Sequence, residues 1–266
     1  MNMAQSAPLV FVRQLGQKNY REYLRLLVHY GFMKRYHTRD IKFLEYNIRV
    51  PDCLSFIFQF KDIFTMQSYK FTAASDSPVI YDCGANIGIG CIYFKHIYPK
   101  AHIMAFEADP AIADILKTNL ARNSITDIEV IPKAVWIDQN GTTFMPDGAD
   151  GGSIKENSGG IRVPTIRLRD YLTAGKTIDF LKIDIEGAEV PVLEDCENNL
   201  NTVHNLFVEY HSWHDQRQQL DRLLSIITKA GFRYYLEPVT AIRHPLENDR
   251  TLQSADIQIN IFAARE

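Results

Sequence analysis

The stretch Val79-Ile80-Tyr81-Asp82-Cys83-Gly84-Ala85-Asn86-Ile87-Gly88 restricts the fold of this chain more than any other part of it. A short apolar run breaks into a glycine-rich turn, and Ile89 through Tyr98 then read as a helix stopped by Pro99. Strand, glycine turn and helix in this order bring backbone close to a ligand at the carboxyl edge of a sheet. A second apolar strand, His102-Ile103-Met104-Ala105-Phe106, ends on Glu107, an acid placed to accept both hydroxyls of a ribose. Asp82 before the turn and Glu107 after the next strand make the two-carboxylate pattern of S-adenosylmethionine (SAM) binding.

Glycine spacing separates this reading from its nearest rival, an NAD-type oxidoreductase. A dinucleotide loop is built as G-x-G-x-x-G, with backbone N–H groups facing a pyrophosphate. Here the order is Gly84-x-x-x-Gly88-x-Gly90, and Asp82 stands where a pyrophosphate would be repelled. SAM carries an ammonium, a carboxylate and a sulfonium, and an acid beside the loop suits the ammonium. A catalytically idle SAM-binding or interaction protein is the other alternative; intact Asp82, Glu107 and Asp184 argue against a decayed site.

The chain has 266 residues, enough for one large domain with an extension, and its net charge of -3 offers no electrostatic footprint for nucleic acid. No stretch reaches the apolar length of a membrane span, and the first residues lack a signal-peptide pattern. The cysteines Cys53, Cys83, Cys91 and Cys196 show neither CxxC pairing nor zinc spacing, so they read as reduced thiols in a cytoplasmic protein.

Residues 1–75 differ from the rest and read as an N-terminal cap. Tyr20–Tyr36 has the spacing of an amphipathic helix, Leu44–Phe60 alternates more like strands, and Phe60–Tyr69 is compatible with a helix. The dense aromatics there (Tyr46, Phe56, Phe58, Phe60, Phe64, Tyr69, Phe71) suit packing better than cofactor stacking. Residues 76–266 alternate strand and helix, which predicts an α/β fold with a doubly wound, mostly parallel sheet. The expected order is strand 79–82, helix 87–97, strand 102–107, helix 110–122 opened by Asp109-Pro110, and strand 127–132. Asp138–Arg169 reads as a Gly-rich excursion with hairpin character, and Asp147–Gly160 within it as a mobile lid. Strand 178–183, a helix from about Ala188, strand 204–210, helix 215–230 and a pair near 232–238 and 257–263 follow. Ile257–Phe262 alternates as an antiparallel edge strand would.

A second constellation lies at Phe180-Leu181-Lys182-Ile183-Asp184-Ile185-Glu186-Gly187-Ala188-Glu189. An apolar strand delivers Asp184 and Glu186 to its carboxyl end, and Phe207-Val208-Glu209-Tyr210-His211 does the same with Glu209 and His211. With Asp82-x-Gly84-Ala85-Asn86-x-Gly88 and Phe106-Glu107, in this order, the chain resembles the FkbM family of SAM-dependent methyltransferases over about residues 50–237. The resemblance implies a class I methyltransferase (Rossmann-like) fold, a seven-stranded sheet with helices on both faces and the last strand antiparallel. It also implies O-methylation of a hydroxyl on a sugar or secondary metabolite. Residues 1–45 do not match the family pattern.

Carried over by position, Asp82, Gly84, Ala85, Asn86 and Gly88 would border the methionine end of SAM, and Glu107 with Ala108 the ribose. Ala134 and Val135 would flank the adenine, Asp184 would face the ammonium or the methyl group, and Ser153 would touch the ligand from the lid. Methyl transfer to an aliphatic hydroxyl calls for alignment and proton removal. His211 is the first choice of base, its ordinary pKa lying near neutrality; Glu186 and Glu209 are the other candidates, as base or as anchors for substrate hydroxyls. Asp184, Glu186, Glu209 and His211 could also gather a divalent cation, although no compact ligand motif marks one. The acceptor, its regiochemistry and the oligomeric state are not legible.

Overall fold

In the computed structural model, residues 16–146, 152–154, 160–213, 216–239, 246 and 257–265 are described. The first element, α1 (Lys18–Tyr30), realises the expected amphipathic helix over its first part but stops at Gly31, short of the expected end at Tyr36. An antiparallel hairpin of β1 (Arg39–Phe43) and β2 (Tyr46–Val50) follows. Up to Phe60 the strand-like reading then fails, because α2 (Cys53–Phe60) is a helix. Asp52 starts it: its carboxylate accepts from the Ser55 N–H at 2.9 Å and from the Tyr36 N–H at 2.7 Å. The helical period was hidden in a nearly continuous apolar run, in which Phe56, Ile57 and Phe60 are buried while Phe58 faces out. A π-helical turn, Lys61–Thr65, extends α2. The aromatics pack ring on ring: Phe60 stacks on Phe64 at 5.3 Å, and Phe64 meets Tyr93 edge-on at 5.2 Å.

The apolar runs that alternate with helices assemble into one sheet. β3 (Val79–Cys83) pairs in parallel with β4 (His102–Phe106) on one side and with β11 (Ile178–Ile183) on the other. With β5 (Ile128–Ile131), β12 (Val203–Ser212), β13 (Arg233–Pro238) and β14 (Ile257–Ala264), the order is β5-β4-β3-β11-β12-β14-β13. β14 is antiparallel to both its neighbours, as expected. It is not an edge strand, however; β13 is. Alternation reports which face a side chain takes, not how many neighbours a strand hydrogen-bonds.

α3 (Ile89–Ile97) and α4 (Pro110–Arg122) share one face of the sheet with α1 and α2, in a core that includes Leu26, Phe64, Ile92, Ile112 and Ile80. α5 (Glu189–Cys196) and α6 (Leu220–Lys229) cover the other face, against Tyr81, Leu181 and Val208. Successive residues of β3 thus enter opposite cores, as the strand period requires. Asp109 caps α4 through the Ala111 N–H at 2.8 Å, with Pro110 in the first turn. The excursion between β5 and β11 does have hairpin character. β7 (Thr142–Met145) pairs antiparallel with β8 (Ser153–Ile154) and β9 (Ile161–Val163), while β6 (Ala134–Trp136) pairs in parallel with β10 (Thr165–Arg167). Most of the expected lid, residues 147–151 and 155–159, lies outside the described residues. Among the described residues no helix is long and apolar enough to cross a membrane.

Candidate active site

The turn after β3 explains its own glycines. Gly84 sits at φ +82°, and a Cβ there would lie 1.8 Å from the Asp184 carbonyl oxygen, so backbone from the next strand occupies the place of a side chain. Its N–H and that of Ala85 donate to the Phe106 carbonyl at 3.0 and 2.9 Å, which ties the turn to the end of β4. Gly88, in the left-handed region, opens α3. Gly90 in the first turn of α3 leaves room for Asp82, whose Oδ2 would lie 2.8 Å from a Cβ at that position.

Beneath the turn lies a residue to which the sequence reading gave no role. Lys182, paired in register with Asp82, is only 4% exposed. Its ammonium donates to the Gly84 carbonyl at 2.8 Å and stands 3.3 Å from Asp82 Oδ1 and 3.2 Å from Asp184 Oδ2. Burial works against its charge, but Asp184 and Asp82 outweigh burial and hold its pKa well above the ordinary lysine value. A lysine inside an apolar strand was the available signal, since such a group is buried only with partners. The Lys182–Asp82 contact is an ion pair without hydrogen-bond alignment, for Asp82 Oδ1 has no hydrogen-bond donor among the described residues.

Glu107 directly follows β4, one residue past the strand's end. Its two oxygens accept from the Asn86 N–H at 2.8 Å and the Asp109 N–H at 2.9 Å, so acid, turn and helix cap form one unit. Burial outweighs these two donors and pushes its pKa up to about 7. Gly84, Asn86, Glu107, Ala108, Ala134, Val135 and Asp184 all line one groove, beside Gln59, Ile112, Lys133 and Phe144, which the sequence reading did not assign. Ile112 comes from the first turn of α4, and Gln59 from α2, far away in the chain. Ser153 does not line the groove; it is buried opposite Met145 in the small sheet, and its neighbour Gly152 reaches the groove instead.

A second cavity of about 350 Å³ adjoins the first, sharing Gln59, Gly84, Asn86, Asp184 and Glu186 with it. Asp82 and Ala85 line this one, with Tyr69 and Phe207 as apolar wall and Asp62, Lys182, Glu209, Gln258 and Asn260 as polar wall. Gly88 lines neither. Among the described residues, the cavity therefore has one lysine against five carboxylates.

His211 stands behind that wall, 6% exposed and stacked on Trp213 at 5.9 Å. Its Nδ1 bonds Glu189 Oε1 at 3.2 Å, and its Nε2 lies 3.6 Å from Glu186 Oε2, 3.7 Å from Glu209 Oε1 and 3.2 Å from the Gln258 amide nitrogen. That amide also bonds Glu209. Glu189, 1% exposed, further accepts from the Gly187 N–H at 3.0 Å, fixing the turn that presents Glu186. Glu189 was part of the motif but carried no assigned role; its spacing within the motif was the signal. Burial lowers the His211 pKa, yet the Glu189 hydrogen bond and the surrounding carboxylates outweigh it and push the value up to about 10. Burial pushes Glu186 up to about 9 and Glu209 up to about 7.

The groove thus offers an acid for a ribose and apolar walls for a flat ring. The adjoining cavity offers acceptors for hydroxyl groups, and the two meet at Gly84, Asp184 and Glu186. Comparison with known proteins gives a matching family model, the methyltransferase FkbM domain, over residues 82–234. The methyltransferase sdnD of Sordaria araneosa is 31% identical over 206 residues, 63% of this chain and 79% of that protein. The 2-O-methyltransferase NoeI of Sinorhizobium fredii is 30% identical over 158 residues, which is 50% of this chain and 63% of NoeI. Among solved structures, a SAM-dependent methyltransferase from Agrobacterium tumefaciens superimposes with a TM-score of 0.52 at 11% identity, covering 88% of this chain and 72% of that one, a likeness of fold alone.

Proposed function

The chain belongs to the methyltransferase FkbM domain family of SAM-dependent enzymes, and from that premise we propose that it methylates a hydroxyl of a sugar or similar polyhydroxylated metabolite. The first groove would hold SAM, with Glu107 for its ribose hydroxyls, Ile112, Ala134, Val135 and Phe144 for its adenine, and Gly84, Asn86 and Asp184 for its methionine end. The second cavity, which meets the groove at Gly84, Asp184 and Glu186, would hold the acceptor. Glu209 lines that cavity and His211 does not, so Glu209 takes the hydroxyl proton. Bound in the groove, SAM would supply the methyl group that the oxygen takes up as its carbon–sulfur bond breaks, leaving S-adenosylhomocysteine (SAH). His211 holds Glu209 and Glu186 in place from behind, itself oriented by Glu189. The family assignment disfavours the oxidoreductase alternative, and the 2-O-methyltransferase activity named for NoeI supports oxygen as the acceptor atom. Four buried free thiols suit a reducing cytoplasm.

The observation that carries this reading is the junction of the two cavities at Gly84, Asp184 and Glu186. Calorimetric titration with SAH and a screen of polyols for methyl incorporation from SAM test it. Glu209→Gln is expected to lower kcat by about 10²–10⁴-fold with SAH affinity unchanged. Absence of SAH binding by the wild-type chain would sink the assignment, and full activity in Glu209→Gln would move the base elsewhere.

A further inference from the structure

We infer that Asp184, Glu186 and His211 form a binding site for one divalent metal ion, of the class represented by Mn²⁺, at the junction of the two cavities. The ligating atoms of these three residues lie within 4.8 Å of one another, delivered by the carboxyl ends of two adjacent strands. His211 Nε2 faces Glu186 and Glu209 at 3.6 and 3.7 Å. Those separations exceed a hydrogen bond, which spans about 2.7–3.2 Å. They are close to the spacing of two ligands on a shared ion, roughly 2.9–3.6 Å when each bond is about 2.0–2.2 Å. Donors that face a common point without bonding each other are arranged for a third body.

Two independent features support the same centre. Glu189 holds the Nδ1 of His211, as a carboxylate does behind a metal-bound imidazole, so that Nε2 is the nitrogen turned toward Asp184 and Glu186. Asn260, opposite Glu209 in register, lines the second cavity together with Asp184 and Glu186, and its buried Oδ1 has no hydrogen-bond donor among the described residues, an acceptor that a water carried by the ion would satisfy. Taking up the ion displaces the protons that Glu186 and His211 hold near neutrality. Asp184, Glu186, Glu189 and Glu209 surround one imidazole, and Lys182, 3.2 Å from Oδ2 of Asp184, is shared with Asp82. One nitrogen with carboxylate oxygens suits Mn²⁺ or Mg²⁺ better than a thiolate-seeking metal. The Gln258 amide, 3.2 Å from Nε2, has to give way on binding. A cation here would lower the pKa of an acceptor hydroxyl lying on it.

The site rests on the geometry; only its catalytic meaning rests on the methyltransferase reading. The test is titration of the 266-residue chain with Mn²⁺, followed by electron paramagnetic resonance and calorimetry, with Mg²⁺ and Zn²⁺ as competitors. Wild type is expected to take up one Mn²⁺ per chain and His211→Ala none. Glu189→Gln is expected to weaken binding by about 10–100-fold, the effect of losing a carboxylate behind a metal-bound histidine. Retained SAH binding shows that a variant is folded. If His211→Ala fails that control, Glu186→Gln, whose side chain is 20% exposed, decides in its place and is expected to weaken uptake. No uptake by the wild type, or wild-type uptake in folded His211→Ala or Glu186→Gln, overturns the inference. Failure of SAH binding with Mn²⁺ uptake intact would instead strike the proposed function and leave the metal site standing.

Discussion

Replacing Lys182 by methionine keeps an unbranched side chain in β11 and deletes one charge. In the native arrangement that ammonium serves Asp82, Asp184 and the Gly84 carbonyl at 3.3, 3.2 and 2.8 Å. Removing it strands the Asp82 carboxylate, whose side chain is 1% exposed, and leaves the Gly84 carbonyl without its donor. Breaking a buried pair from one side costs about 3–5 kcal/mol. Asp184, with 23% of its side chain exposed, recovers part of its hydration, so the expected loss is near the lower figure. At roughly 2–4 °C per kcal/mol for a domain of about this size, Tm falls by about 6–12 °C. Thermal melts of wild type and Lys182→Met, with SAH titrations alongside, measure both effects; the loosened turn is expected to weaken SAH as well. Adding Asp82→Asn should restore part of the lost stability, because the stranded charge is then gone. A Lys182→Met protein melting within a degree of wild type, with SAH affinity intact, would refute the idea that this lysine holds the turn.

Glu107 supplies a pH dependence. Burial raises its pKa to about 7, so the ligand-free fold binds this proton more tightly than the unfolded chain does, and this contribution to stability is lost as pH rises toward 7. Ribose hydroxyls need the ionised acid, so SAH affinity should climb about tenfold per pH unit up to near 7 and then level off, and calorimetry of Glu107→Gln should show no such rise. Gly84→Ala should abolish SAH binding, since its Cβ would collide with the Asp184 carbonyl at 1.8 Å; retained binding in a titration would mean that the turn can re-form. Phe64→Ala should cost about 3–5 kcal/mol in urea unfolding, because its ring is fully buried among Phe43, Phe60 and Tyr93; a loss under 1 kcal/mol would show that the N-terminal aromatic layer is dispensable.

Local chemistry determined a good deal of this protein by itself. The run ending at Asp82, the glycines after it, Asp109-Pro110 and the acid after Phe106 each act within a few residues of themselves, through backbone conformation, capping and strand period. They were therefore readable without a partner in view, and they mark the sheet edge and the groove residues Gly84, Asn86 and Glu107. Where two local signals competed, reading was harder: the apolar run Cys53–Phe60 fits strand or helix until the Asp52 cap is seen.

Contacts between distant segments belong to the tertiary structure alone. Lys182 meets Asp82 a hundred residues away because β11 and β3 happen to pair in that register, and no window of sequence contains both. Glu189 holds His211 only because α5 starts beside the end of β12, and that second contact changes the histidine from an ordinary titrating group into a fixed, highly basic one. Gln59 enters both cavities from α2, and β14 slips between β12 and β13, for the same reason. Sequence periodicity states which face of an element is apolar; which element covers that face, and in what register, is set by the packing of the whole chain.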